Sequence, residues 1–108
     1  MQYWKKRYHS LYLNAKSEFD PHIIEWIAGK EDIVCASPYS YPLLKHDFKA
    51  IRRFKSGKVR IFYVLSKEKG ELWDVVPNAP EVLFVYVELR RDETYANVLK
   101  ALRRNDIL

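Results

Sequence analysis

The sequence predicts an α+β domain in which an N-terminal helical hairpin packs on an antiparallel β-sheet and a C-terminal helix closes the chain. Three observations predict it. Apolar residues recur at helical spacing between Trp4 and Ala28. Two runs, Lys58 to Leu65 and Val82 to Leu89, are rich in β-branched and aromatic residues with a two-residue alternation. A helical stripe then returns between Tyr95 and Leu102. Helices followed by a block of strands argue for a sheet covered on one face by helices. At 108 residues the chain is one domain, 1–108, with enough length for a real core.

Trp4, Tyr8, Leu11, Ala15 and Phe19 form one stripe of an amphipathic helix over residues 3–19, against the rival reading of a strand from Tyr8 to Leu13. Asp20-Pro21 reads as an N-cap with proline in the first helical position. Ile23, Ile24, Ile27 and Ala28 then supply an apolar face, and Gly29 ends the second helix. So short a join makes the two helices a hairpin. Pro38 and Pro42, set among tyrosines, make Glu31 to His46 an irregular connection. Phe48 to Lys55 and Lys58 to Leu65 flank Ser56-Gly57, which predicts a β-hairpin. Lys67 to Pro80 reads as a connection with a short strand at Leu72 to Val76, and Val82 to Leu89 as the last strong strand. Asp92 caps the final helix, where Tyr95, Val98, Leu99 and Leu102 share a face.

Composition narrows the function classes. A hydrophobic content of 48% with 15% aromatics excludes a disordered chain. A single cysteine, Cys35, excludes an internal disulfide and suits a buried small hydrophobe. His9, His22 and His46 are too far apart for metal-ligand spacing, so no metal or other cofactor is expected; His46 alone is near enough to the basic run to be a weak general-base candidate. No apolar run approaches the roughly 18 residues of a membrane span, and the start MQYWKKRYHS lacks the apolar core of a signal peptide, so a soluble cytoplasmic protein with no membrane partner is expected. The net charge of +5 favours a polyanionic partner.

That charge is concentrated. Seven of the nineteen Lys and Arg residues (Lys45, Lys49, Arg52, Arg53, Lys55, Lys58, Arg60) fall between positions 45 and 60, opposed there by Asp47 alone. Strand alternation puts Lys58, Arg60, Phe62 and Val64 on one face. In the last strand Glu88 shares a face with Tyr86 and Phe84, and Arg90 continues that parity. Arg60, Arg90 and, from the first strand of the hairpin, Arg53 then converge on one patch suited to bidentate phosphate binding. Tyr95 follows five residues after Arg90 and is placed to stack on a base or move a proton, unless its position on the apolar helix stripe makes it core. Lys45, Lys49 and Lys58 equally fit a solvated face.

The segments GKVRIFYVL, Gly57 to Leu65, and FVYVELRRDETY, Phe84 to Tyr95, together resemble the RelE/ParE toxin superfamily. The resemblance covers residues from about 20 to 96 and implies a RelE-like toxin of a type II toxin–antitoxin system. It implies a ribosome-dependent endoribonuclease that cleaves messenger RNA by attack of a ribose 2′-hydroxyl on the adjacent phosphate, with an antitoxin protein, the ribosome and mRNA as partners. Arg60, Arg90 and Tyr95 match the family's catalytic positions. Arg52, Arg53, Lys55, Lys58 and Arg91 are candidates to bind RNA around them. Guanidiniums aimed at the non-bridging oxygens stabilise the charge that develops in such an attack, and cations near Tyr95 would lower its pKa from about 10 toward that of a base. Trp4, Trp26 and Trp73 are expected in the core or against the antitoxin. Three departures stand out: no strand is evident before the first helix, the Lys67 to Pro80 connection is long enough to cover the basic patch, and Ile51 takes the place of a family lysine. The competing class is a non-catalytic RelE/ParE-like binding module, a topoisomerase inhibitor or a binder of RNA or a partner protein.

Overall fold

The computed structural model describes residues 4–44, 49–68, 70–89 and 103–104. A four-residue strand β1 (Lys5–Tyr8) leads into helices α1 (Ser10–Ser17) and α2 (Pro21–Ala36). Strands β2 (Arg52–Ser56), β3 (Val59–Leu65) and β4 (Glu81–Leu89) follow, and the sheet order is β1-β4-β3-β2. β2, β3 and β4 are antiparallel neighbours, whereas β1 lies parallel to β4, Lys5 opposite Glu81 and Tyr8 opposite Phe84. The sheet is therefore mixed rather than antiparallel. The C-terminal helix expected from Asp92 to Leu102 falls outside the described residues; Arg103 and Arg104 beyond it are helical and exposed.

The N-terminal stripe is correct about burial and wrong about shape. Trp4 and Tyr8 reach the core from an extended segment, Leu11 and Ala15 from a helix that begins only at Ser10. His9 divides the two. Its backbone N–H donates to the Phe84 carbonyl at 2.9 Å, as the next rung of the strand, while its Nδ1 accepts the Leu11 N–H at 3.0 Å and caps α1. Asp20 stands at the N-cap of α2 with Pro21 next, as expected, and its backbone carbonyl accepts from Ile23 and Ile24, but its side chain makes no capping hydrogen bond. α2 does not stop at Gly29 but continues to Ala36, because its buried side runs on through Glu31, Val34 and Cys35. The expected strand at Leu72 to Val76 is instead a series of turns and bends. The hairpin turn holds Gly57 and Lys58, one residue later than expected, with Gly57 at φ 56°, a left-handed conformation that suits glycine.

Helices and sheet enclose the main core, in which Tyr12, Ile27, Val34 and Cys35 meet Phe54, Ile61, Tyr63, Phe84 and Val87. One charged group lies inside it. Glu31 is fully buried and accepts from the Tyr8 and Tyr12 hydroxyls at 2.7 Å each and from Lys6 and Lys16 Nζ at 3.2 and 3.4 Å. A buried carboxylate persists where every lone pair is used, and this one ties β1, α1 and α2 together. Burial and the bonds to Glu31 push both phenol pKa values up. For Lys6 burial acts downward, but the bonds to Asp32 and Glu31 outweigh it and raise the pKa.

A smaller core lies on the opposite face of the sheet. There Phe62, Val64, Leu83 and Val85 are covered by Trp73, with Ile51 and Leu11 at the margins. The segment carrying Trp73 is anchored by Ser66, whose hydroxyl donates to Ala79 O at 3.2 Å and accepts from the Glu81 N–H at 2.9 Å. No helix among the described residues is long and apolar enough to cross a membrane.

Candidate nucleic-acid interface

The register of β2 and β3 settles which basic side chains share a face. Arg53 pairs with Phe62 and Lys55 with Arg60, so all four lie on the face turned away from the helices, with Val64 further along β3. Arg52 pairs with Tyr63 and belongs to the helix side. On β4 the parity expected from sequence fails at one place. Phe62 faces Tyr86 while Tyr63 faces Phe84, which leaves Val85 as an extra residue in a β-bulge. Tyr86 and Glu88 thereby join Arg60 on the helix-free face, whereas Phe84 turns to the main core.

The two adjacent arginines of β2 have different surroundings. Arg52 donates from Nε and Nη2 to Glu68 at 2.9 and 2.6 Å and from Nη1 to the Tyr41 carbonyl at 2.6 Å, and its guanidinium lies 5.4 Å from the centre of the Tyr39 ring. The hydrogen bonds to Glu68 raise its pKa. Three of its five N–H donors are taken by the fold and its side chain lies on the helix side, which sets Arg52 apart from Arg53 and Lys55. Arg53, half-buried, has an Nε with no hydrogen-bond partner among the described residues. Arg53, Lys55 and Lys58 make no ion pair among the described residues, in contrast to Lys6, Arg7, Lys16, Lys49 and Arg52. Lys55 is exposed beside Arg60, and Lys58 projects from the hairpin turn at one end of the strip.

Arg60 sits deeper. It is buried, and its Nη1 donates to the carbonyls of Gly57 and Val59 at 2.9 and 3.1 Å. The turn thus orients the guanidinium, and Glu88 is its cross-strand neighbour on β4. Arg90, Arg91, Tyr95 and His46 lie outside the described residues. Arg53, Lys55 and Arg60 thus share one side of the sheet, Lys55 exposed, Arg53 half-buried and Arg60 buried, and aligned cations of this kind are suited to phosphate oxygens.

Two aromatic residues of this face are not among the site candidates read from the sequence. Tyr86 stands against Phe62, ring centres 6.4 Å apart, and burial first, then Glu88, raises its pKa against the opposing charge of Arg104. Trp73 is the other: in the sequence it is expected in the core or against an antitoxin, and it is buried, on the side of the cationic strip. Of the two places expected for the tryptophans, the core or the antitoxin contact, Trp4 takes the core, and Trp26, exposed on α2 with Lys30 over its ring, does not. Among the described residues no cluster of His, Cys, Asp and Glu has the makings of a metal site.

No protein-family model and no curated protein matches the sequence. Solved structures do match. A chain of the RelBE2 toxin–antitoxin complex from Mycobacterium tuberculosis superposes with a TM-score of 0.69 at 15% identity, over 85% of this chain and 97% of that one. The isolated RelE toxin of E. coli superposes with a TM-score of 0.57 at 19% identity, over 94% and 99% of the two chains. The domain has the RelE fold, and a strand, β1, does precede the first helix, where the sequence shows none.

Proposed function

We propose that this chain is a RelE-like toxin, a ribosome-dependent endoribonuclease that cleaves mRNA and is neutralised by an antitoxin protein. One observation carries the reading: within the RelE fold, Arg53, Lys55 and Arg60 are aligned by register on the helix-free face. Attack of a ribose 2′-hydroxyl on its own 3′-phosphate builds charge on the non-bridging oxygens. Arg60, oriented by the Gly57 and Val59 carbonyls, is suited to stabilise that charge without reorganising. Arg53 and Lys55 hold flanking phosphates. Arg90 completes the cationic set, Tyr95 moves the proton or stacks on a base, and Lys58 and Arg91 extend the contact with RNA. The antitoxin reading is supported by the likeness to a chain from a toxin–antitoxin complex.

The binding-module reading draws on a different observation, the coverage of Phe62 and Val64 by Trp73, which narrows the open part of the face. Expression of the wild-type chain and an Arg53→Ala, Lys55→Ala variant from a tight promoter, with mRNA ends mapped on translating ribosomes, separates the two. Codon-phased cuts from the wild type alone are the expected result. A folded, well-expressed wild type that leaves mRNA intact overturns the enzyme reading in favour of the binding module.

A further inference from the structure

At the β1 edge of the helix-free face lies a cavity of about 440 Å³, bounded by the end of β1, the start of α1 and the turns around Trp73. Leu72, Trp73 and Leu83 give it apolar walls, and Arg7, His9 and Asp74 line it with polar groups. Apolar walls with a few placed polar groups make a site for a small planar ligand. Arg7 is held in direction by its Nε, which donates to the buried Glu81 at 2.7 Å. Its two Nη groups make no hydrogen bond among the described residues, and the side chain is 58% exposed. His9 spends Nδ1 on the Leu11 N–H, so the neutral ring carries its proton on Nε2 as a donor. Asp74 is an exposed acceptor of opposite sign.

Two carboxylates, Asp74 and Glu81, beside one guanidinium disfavour a phosphate or an acidic peptide here. Donors and an acceptor around apolar walls suit instead the edge of a nucleobase, which presents acceptors and N–H groups together; unpaired bases of RNA are read on their edges while stacked on side chains. Leu83 is five residues from Glu88, the cross-strand neighbour of Arg60, or about 17 Å along β4. A strand lying on the cations can reach the cavity with a nucleotide a short way from the phosphate at Arg60.

We propose that this cavity takes one unpaired nucleobase of an RNA strand whose phosphates lie on Arg53, Lys55 and Arg60, with the base against Trp73 and Leu72 and its edge read by Arg7 and Asp74. The proposal rests on the RNA-binding reading of that face and adds a specificity pocket to it.

The indole N–H resonances of Trp4, Trp26 and Trp73 report on it directly, with a Trp73→Phe variant to assign the third. The full-length chain is titrated with each of the four nucleosides, which lack the phosphate that the cationic strip would bind. At least one nucleoside should shift the Trp73 resonance saturably while those of Trp4 and Trp26 stay in place. Asp74→Asn, a change at an exposed site, should weaken that nucleoside about tenfold or alter which base is preferred. A Trp73 resonance that no nucleoside moves, or a shift identical in Asp74→Asn, overturns the pocket. A labelled single-stranded oligoribonucleotide added to the same samples distinguishes the failures. If it binds while Trp73 stays silent, the pocket alone fails; if neither responds, the RNA reading of the face fails with it.

Discussion

Arg52 and Arg53 are neighbours in sequence and opposites in role, which makes them the sharpest pair to test. Arg52→Ala removes three hydrogen bonds to Glu68 and Tyr41 and is expected to cost about 1 to 2 kcal/mol, seen as a lower urea midpoint, with RNA affinity per folded molecule unchanged. Arg53→Ala should do the reverse, leaving the midpoint within about 0.5 kcal/mol and weakening binding to a labelled oligoribonucleotide. An RNA defect in Arg52→Ala alone would place the interface on the wrong side of the sheet. The network at Glu31 yields a prediction about pH. Tyr8, Tyr12 and Lys6 all have pKa values raised by folding, against ordinary values of about 10. The unfolded chain therefore sheds protons above about pH 10 that the folded chain keeps, and stability that is fully present below that pH falls as pH rises. Urea midpoints should be level between about pH 7 and 9 and drop by pH 10.5, and Tyr12→Phe should flatten the drop while lowering the plateau. Of the site, the alignment of Arg53 with Arg60 was legible from strand parity and the difference between the two arginines was not. Parity assigns a face, but the carboxylate that consumes Arg52 is Glu68, sixteen residues away.

At the scale of elements, α2 offers the cleanest change. Gly29 lies in its interior, exposed, with no atom within 4 Å of where a Cβ would stand. Gly29→Ala should stabilise the protein by about 0.5 to 1 kcal/mol through helix propensity, measured as a rise in the urea midpoint; destabilisation would mean that α2 does end there. The sequence suggests such an ending because a glycine follows the apolar residues Ile23, Ile24, Ile27 and Ala28, and Glu31, in a core position two residues on, hides the continuation by placing a charge on the apolar stripe. Only the two tyrosines and two lysines that converge on it in three dimensions make it a core residue. The same convergence hid β1. Lys5–Tyr8 has no alternation of apolar and polar residues, since Lys6 points to a buried carboxylate and Arg7 to Glu81, and the helical spacing from Trp4 to Phe19 arises across two elements that pack on one sheet. β3 was legible because every residue in it is buried and most are β-branched or aromatic. The bulge at Val85 left no mark in an unbroken apolar run, which is why Phe84 was assigned to the wrong face.

Across the whole molecule the net charge of +5 is distributed by pairing rather than by number. On the helix side Lys6 and Lys16 meet Glu31 and Arg52 meets Glu68, while at the margins Arg7 meets Glu81 and Lys49 meets Glu71. Arg53 and Lys55 are left without ion pairs among the described residues, on the same face as Arg60. On the helix-free face the described cations Arg53, Lys55 and Arg60 therefore form one strip, and the salt dependence of RNA binding should grow with each member that meets a phosphate. Each phosphate neutralised on a single strand contributes about −0.7 to the slope of log affinity against log salt. Arg53, Lys55 and Arg60 alone would contribute a slope of about −2, or about a twentyfold loss between 50 and 200 mM salt, and Lys58, Arg90 and Arg91 would steepen it. Lys55→Ala should bring the slope up by about 0.7 without moving the urea midpoint, because Lys55 is exposed and makes no ion pair within the described fold. Lys49→Ala, which breaks an exposed pair with Glu71, should leave the slope as it was. Fluorescence anisotropy of one labelled oligoribonucleotide across a salt series measures all three chains. Equal slopes for Lys55→Ala and the wild type would mean that RNA is held by the molecule's overall charge, and the aligned strip would then have no part in binding.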